Sequence, residues 1–499
     1  NSWAGTVALS GTVAVGVDAG TLTLGGIVSG GALTKVGTGT LVLSAVNTYT
    51  GQTNIAAGTL RLEGGDNRIK ATGSFDFPWP GAGGGILDLN GQNQTFQGSC
   101  RLPSGNAITL GGGTLTLYQA DLWGGTTISG AGQFVKEGTE TVSFGATATY
   151  TGGTIINNGR VAMYSGSNRL PVTGHVQVNG PGILNLNLYN VGGTQTIGTL
   201  TGDGTVWISG ATFVLGNGGG SSEFSGTILD RGVGETAFPI GQMQKTGTGA
   251  ITLSGQSTYV GATTVAQGTL AVNGSIAASS GILVDAGATL RGHGYVPVIS
   301  GAGLIAPGNS AGILTAPSIN AAAGLDFAFE FGAVGSSNYA NAAESINDVL
   351  RLTDATPFAA SLGSSNTIDV YLGVPELTWG MTFRGGFYTD AAEDFLGDIE
   401  GASFEYYVLG DGNGTYEYNG QSYYALTESW PTWDIELATV PNQAAFAGGT
   451  ATGYVMQLTA VPEPGSLVLL AFAMAGTLHI RRRYRAIPAS GSSDVSSRI

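Results

Sequence analysis

A 30-residue segment occurs three times in this 499-residue chain, with no gap inside any copy. The copies are LTKVGTGTLVLSAVNTYTGQTNIAAGTLRL at 33–62, FVKEGTETVSFGATATYTGGTIINNGRVAM at 134–163 and MQKTGTGAITLSGQSTYVGATTVAQGTLAV at 243–272. Their offsets are 101 and 109 residues, so the unit persists while the chain between copies varies in length. A repeat of this size is one supersecondary unit that buries its apolar face by stacking on its neighbours.

Within each copy apolar residues recur at spacing two, as at Leu41 and Leu43, Val142 and Phe144, and Ile251 and Leu253. That is the period of a strand. A second strand is predicted around Ile55, Ile156 and Val265, and a third around Leu60, Val161 and Leu270. Gly51, Gly152 and Gly261, and then Gly58, Gly159 and Gly268, separate them at places where positive φ or close backbone approach excludes a side chain. Lys35, Lys136 and Lys245 share one repeat position, and the chain has only one other lysine, Lys70. The expectation is a solvated turn lysine, or one whose stem covers apolar surface, ahead of a recurring ligand-binding charge. Tyr49, Tyr150 and Tyr259 are expected to wedge a corner of the fold rather than stack on sugars.

Composition narrows the class. The chain has 86 glycines and only 10% charged residues, against roughly a quarter in ordinary soluble domains. Glycine at this density would cost a helix roughly 1 kcal/mol per occurrence. Collagen is excluded because the glycines follow no period of three, and general disorder because 42% of residues are hydrophobic. An all-β chain remains, with 1–324 forming a parallel β-helix, or solenoid. At roughly 23 residues per coil and about 4.8 Å between coils, it would hold about 14 coils over a length of order 65 Å. The single Cys100 permits no intramolecular disulfide.

The net charge of −15 is unevenly distributed. Residues 1–324 carry 13 acids and 11 bases, whereas 325–461 carry 18 acids against Arg351 and Arg384 alone. The folded part offers no basic stripe, so nucleic acid is not an expected partner. From 325 to 459 segments such as DFAFEF, TIDVYLGV and FEYYVLG alternate apolar and polar residues. They are read as a separate acidic domain of antiparallel, sandwich-like β structure.

Candidate chemistry is sparse. A G-x-S-x-G run at 308–312 places Ser310 in an elbow position, but the only later histidine, His479, lies in an apolar run. His175 and His293 lack metal-ligand spacing, so no metal and no cofactor is expected. GDGNGTYE at 410–417 fails the EF-hand pattern and reads as a hairpin turn. Asp390, Glu393, Asp394, Asp398 and Glu400 fit either a divalent-cation cluster or a solvated acidic face. A β-helical lyase or glycosidase needs clustered carboxylates, and Asp66, Asp76 and Asp88 have no evident partner. Trp79 and Trp123 either line a sugar groove or pack. No residue is assigned a catalytic role.

The segment VPEPGSLVLLAFAMAGTLHIRRRYR at 461–485 joins Pro462, Glu463 and Pro464 to an apolar run, 465–480, and then to Arg481, Arg482 and Arg483. At 16 residues this run falls slightly short of the ~17–25 that span a bilayer as a helix, a gap that flanking Pro464 and snorkelling arginines close. The arginines belong on the cytoplasmic side. The unit 460–485 is thus read as a short transmembrane anchor, followed by a disordered Ser-rich tail at 486–499. Permanent anchoring without processing is the simpler alternative. The chain opens at Asn1 without Met or a leader, so export implies a leader removed or a truncated sequence. An outer-membrane barrel is not expected, because the arginine-rich tail occupies its place.

The three copies resemble the autotransporter-associated β-strand repeat, also called the passenger-associated transport repeat, with its K-x-G-x-G-x-L-x-L-S-G-x-N-T-Y-T-G core. The middle copy departs at Glu140 and Ala148. GHGYVPVISGAGLIAPGNSAGILT, at 292–315, is similar to the P-G-N-S-P-G-x-L stretch that often ends such helices. The resemblance implies a right-handed parallel β-helical stalk on a bacterial surface. Residues 461–485 resemble the PEP-CTERM sorting signal of Gram-negative bacteria. That resemblance implies recognition by an exosortase, a membrane transpeptidase, inner-membrane insertion through 465–480 before processing, and a producer of extracellular polysaccharide. The expectation is an exported structural or adhesive protein of the cell surface or extracellular matrix. The alternatives are an extracellular polysaccharide-binding protein and, behind it, a lyase or glycosidase.

Overall fold

The computed structural model describes residues 1–77, 84–164, 166–186, 193–230, 240–308, 312–331, 348–354, 356–372, 382–389, 396–409, 416–418, 421–425, 433–441 and 454–462. The chain forms two compact units, Asn1–Gly281 and Ile282–Ile499.

The first unit is a parallel β-solenoid. Thr40–Leu43 pairs in parallel with Thr21–Leu24 on one side and with Thr59–Leu62 on the other. Stacking in register places like residues above one another. Leu41, Leu60, Leu87, Ile108 and Ile128 follow in consecutive coils as one interior ladder, each fully buried. Burial of one such side chain contributes about 1.5–3 kcal/mol, and the ladder repeats that gain at every coil. The alternation read from the sequence is therefore the inward face of stacked strands.

Each 30-residue copy is a coil and a half that folds onto itself. Leu33 lies opposite Thr53, and Thr40 opposite Thr59, in parallel register. Phe134 and Thr154, and Met243 and Thr263, repeat the first pairing. A coil inside a copy thus takes 19 or 20 residues, fewer than the 23 expected. Longer coils arise from insertions, as where Thr59 meets Ile86 and Thr212 meets Gln242. The two sets of glycines have different physical reasons. Gly58, Gly159 and Gly268 have φ of +64°, +64° and +67°. Gly51, Gly152 and Gly261 face the coil beneath so closely that a Cβ would come within 2.6, 2.5 and 1.7 Å of it.

In the second unit the pairing stays parallel well past residue 325. Asp326–Phe331 pairs with Leu304–Pro307, then with Thr367–Leu372, which pairs with Ser403–Leu409. On another side Ile313–Ala316, Val349–Leu352 and Thr382–Thr389 do the same. The expected antiparallel domain over 325–459 is corrected to that extent. Composition changes at 325, yet the inward residues Phe327, Phe329, Phe331, Val370 and Leu372 remain fully buried, so the ladder continues. Phe387 joins them edge-on, its ring centroid 4.9 Å from Phe327 and 5.1 Å from Phe329. Antiparallel pairing enters with the last strands. Tyr454–Pro462 runs between Thr382–Thr389 and Trp433–Pro441, and Gln421–Ala425 pairs with Ser403–Leu409 and Tyr416–Tyr418.

Among the described residues no helix is long and apolar enough to cross a membrane. The transmembrane helix expected at 465–480 and the tail at 486–499 lie outside the described residues, as does Ser310.

Candidate functional site

The most regular polar feature of the chain is enclosed. Alternation along Leu33, Thr34 and Lys35 puts Lys35 on the same inward side as Leu33, and Lys35, Lys136 and Lys245 are fully buried. The expected solvated or surface-covering lysine is thereby corrected. Lys245 Nζ donates to the carbonyls of Thr246, Gly247 and Gln267 at 2.7, 2.8 and 2.9 Å. Lys35 Nζ reaches Val36, Gly37 and Ala57 at 2.8, 2.7 and 3.2 Å. Lys136 Nζ reaches Gly138 and Asn158 at 2.7 and 3.1 Å, together with Glu137.

Two carbonyls come from the lysine's own turn and one from the next coil, 22 residues on. The K-x-G spacing has a reason here: Gly37, Gly138 and Gly247 all have positive φ, and their carbonyls face the ammonium. An ammonium carries three donors and no acceptor, so three carbonyls satisfy it completely. Burial draws Lys136 and Lys245 down to about 8, and lowers Lys35 as well. With no exposed surface and every donor engaged, these lysines clamp coils together and are not placed to meet a ligand.

The tyrosines behave as expected. Tyr49, Tyr150 and Tyr259 are buried, and each hydroxyl pairs at 2.7 Å with the threonine four residues on, Thr53, Thr154 or Thr263. Asn47 caps the coil beneath by accepting from Val28 N at 2.8 Å, and Ser257 accepts from Ile228 N at 3.1 Å. Ala148 has no polar side chain to do this in the middle copy.

The three aspartates of the insert do have partners, each one coil away. Asp76 pairs with Arg101 at 2.6 Å, Asp66 accepts from Asn93 N at 2.8 Å, and Asp88 accepts from Thr109 Oγ1 at 3.0 Å. They tie coils rather than converge. Asp398 accepts from Ser361 Oγ at 2.8 Å, whereas Asp390, Glu393 and Asp394 lie outside the described residues. Trp79 does too, and so does 410–415 of the loop 410–417, beside a hairpin closed by Tyr418 and Gln421. Among the described residues no group of three or more His, Cys, Asp or Glu side chains could hold a metal ion. Pro462 is the last residue of the strand Tyr454–Pro462, opposite Trp433. Glu463, Pro464, Arg481, Arg482 and Arg483 lie outside the described residues.

Comparison with known families fits this geometry. Residues 33–62, 134–163 and 243–272 each match the passenger-associated-transport-repeat. Residues 460–483 match the PEP-CTERM protein-sorting motif. No curated protein matches the chain. The sorting motif implies export and processing by an exosortase-type enzyme, and an exported, membrane-associated precursor.

Proposed function

We propose that the protein is a non-catalytic, exported β-helical scaffold that serves a structural and adhesive role at the cell surface or in the extracellular matrix. The observation that carries this reading is the orientation of the repeat's polar residues. Lys35, Lys136 and Lys245 face inward and fasten successive coils, and Tyr49, Tyr150 and Tyr259 are buried with their hydroxyls paired to threonine within the repeat. Regularity of that kind extends and stiffens a stack, and it leaves outward positions to vary with the binding task. In this reading the apolar run 465–480 holds the precursor in the inner membrane with Arg481, Arg482 and Arg483 on the cytoplasmic side. An exosortase-type transpeptidase then removes the tail, and the β-helix is released to the outside.

Substituting Glu463 by Ala tests the sorting step. The variant is expected to accumulate as an unprocessed membrane precursor and to disappear from the outer surface. Unchanged processing and location would refute it. Adhesion is tested by deleting the gene, and cells that attach and aggregate as well without the protein would refute the adhesive role.

A further inference from the structure

The middle copy keeps the inward clamp but differs on the outside, at one corner of three consecutive coils. Leu122, Phe144 and Met163 are partners in parallel register, so Trp123, Gly145 and Tyr164 hold equivalent places immediately after them. The same places hold Gly25, Ser44 and Glu63 at the first copy, and Ser225, Ser254 and Asn273 at the third. Only the middle copy has two aromatic residues there, separated by a glycine.

The glycine explains how the aromatic residues share the corner. A Cβ at Gly145 would lie 2.5 Å from Tyr164 Cζ, so the phenol ring occupies the space that serine fills in the other copies. From there Tyr164 Oη accepts from Gly124 N at 3.0 Å, two coils back, beside Trp123. Trp123 is 39% exposed, and its carbonyl is held by Thr126 Oγ1 at 2.7 Å. Two residues earlier on the same outward face stands Asp121, opposite Arg101 of the coil beneath.

Two residues beyond Gly145, Thr147 begins a groove of about 610 Å³ whose polar lining includes Thr149, Thr151, Asn168, His175 and Thr199. Among the described residues, nothing in that lining is a lysine, arginine or carboxylate. His175 Nδ1 pairs with Thr199 Oγ1 at 2.8 Å, and burial lowers the histidine's pKa, which favours the neutral ring. The groove thus offers hydroxyl, amide and imidazole groups without net charge.

We propose that Trp123 and Tyr164, with the adjoining threonine-rich groove, form a binding site for a neutral polysaccharide. A pyranose ring has an apolar face of C–H groups and an edge of hydroxyls. The first matches an exposed aromatic surface, and the second matches side chains that both donate and accept. Among the described residues the groove lining has no basic group to draw an acidic glycan, Arg101 near Trp123 is paired with Asp76, and exposed Asp121 would repel such a glycan, so a neutral one is favoured. This deepens the adhesive reading and rests on it for the source of the ligand.

The test is affinity electrophoresis of the full chain, in mild detergent, through native gels containing hydroxyethylcellulose, xyloglucan, galactomannan or dextran, with alginate as the acidic comparison. At least one neutral polymer should retard the protein, and alginate should not. Trp123→Ala and Gly145→Ser should each weaken retardation about tenfold, the scale of one lost aromatic contact. Trp123→Phe should retain most of it. Gly145→Ser should fold, because Ser44 and Ser254 occupy its place in the other copies, and Trp123→Ala alters an exposed side chain. Mobility unchanged by every neutral polymer would overturn the site. So would retardation that both variants leave intact, which would put glycan binding elsewhere and leave the adhesive reading standing. Retardation lost in both variants, in a protein whose deletion leaves adhesion unchanged, would support the site and remove the adhesive reading.

Discussion

Replacing Lys245 by Met keeps a stem of similar length and deletes only the ammonium. Three carbonyl oxygens, those of Thr246, Gly247 and Gln267, then lose the donor that now sits 2.7–2.9 Å away. A buried acceptor left without a partner costs about 1–3 kcal/mol. Release of a buried charge offsets part of this, since burial is what lowers the lysine's pKa to about 8. The net loss is therefore set near the bottom of the summed range, at about 3 kcal/mol, or about 5 °C in melting temperature for a unit spanning Asn1–Gly281. Thermal melting of the full chain at pH 7, followed by circular dichroism, reads the shift. Lys70→Met is the control, because Lys70 is exposed. Hydrogen exchange should place the damage in Gln242–Lys245 and Gly268–Val272, whose coils the ammonium joins. Equal melting temperatures for Lys245→Met and Lys70→Met would refute the clamp.

Two further substitutions probe other parts of the fold. Burial, then Glu405, then Asp326 push the Asp369 carboxyl up to about 7 from 3.8. A folded-state value raised in this way gives stability that is complete below about pH 4 and is lost as pH rises through 7, about 4 kcal/mol for about three pH units. Asp369→Asn should therefore raise the melting temperature at pH 8 and change it little at pH 4, and an equal effect at both would exclude this origin. Gly159→Ala would force a side chain into φ of +64° with its Cβ 2.4 Å from the carbonyls of Gly138 and Glu140 and 2.8 Å from Lys136 Nζ. At about 2 kcal/mol or more, it should lower the melting temperature measurably in denaturation, and an unchanged transition would show that the coil can yield there.

The repeat made the solenoid legible. Apolar residues two apart at Leu41 and Leu43 are the inward pair of a stacked strand, and the turn glycines mark real steric limits. The direction of Lys35 was also encoded, because Leu33 and Lys35 are two apart and therefore share a face. Charge argued for the outside, and nothing local in the sequence shows that a K-x-G turn aims its carbonyls back at the ammonium. The carboxyl-terminal third was less legible. Phe327 pairs with Ile368 and Ile368 with Phe404, in coils of 41 and 36 residues, so no short period exposes the parallel stacking. The outer corner of Trp123, Gly145 and Tyr164 was hidden for a related reason. Its members are 22 and 19 residues apart and become neighbours only when the coils are counted.

The last described strand, Tyr454–Pro462, is gripped on both flanks, by Thr382–Thr389 and by Trp433–Pro441. Its end is Pro462, the first residue of the sorting triplet. A pull applied beyond Pro462 runs along this strand, across the direction of its hydrogen bonds. Those bonds are then loaded together in shear, and none can be peeled open ahead of the rest. In the proposed precursor, held through 465–480 before processing, tension at Pro462 would thus be shared by two ladders at once.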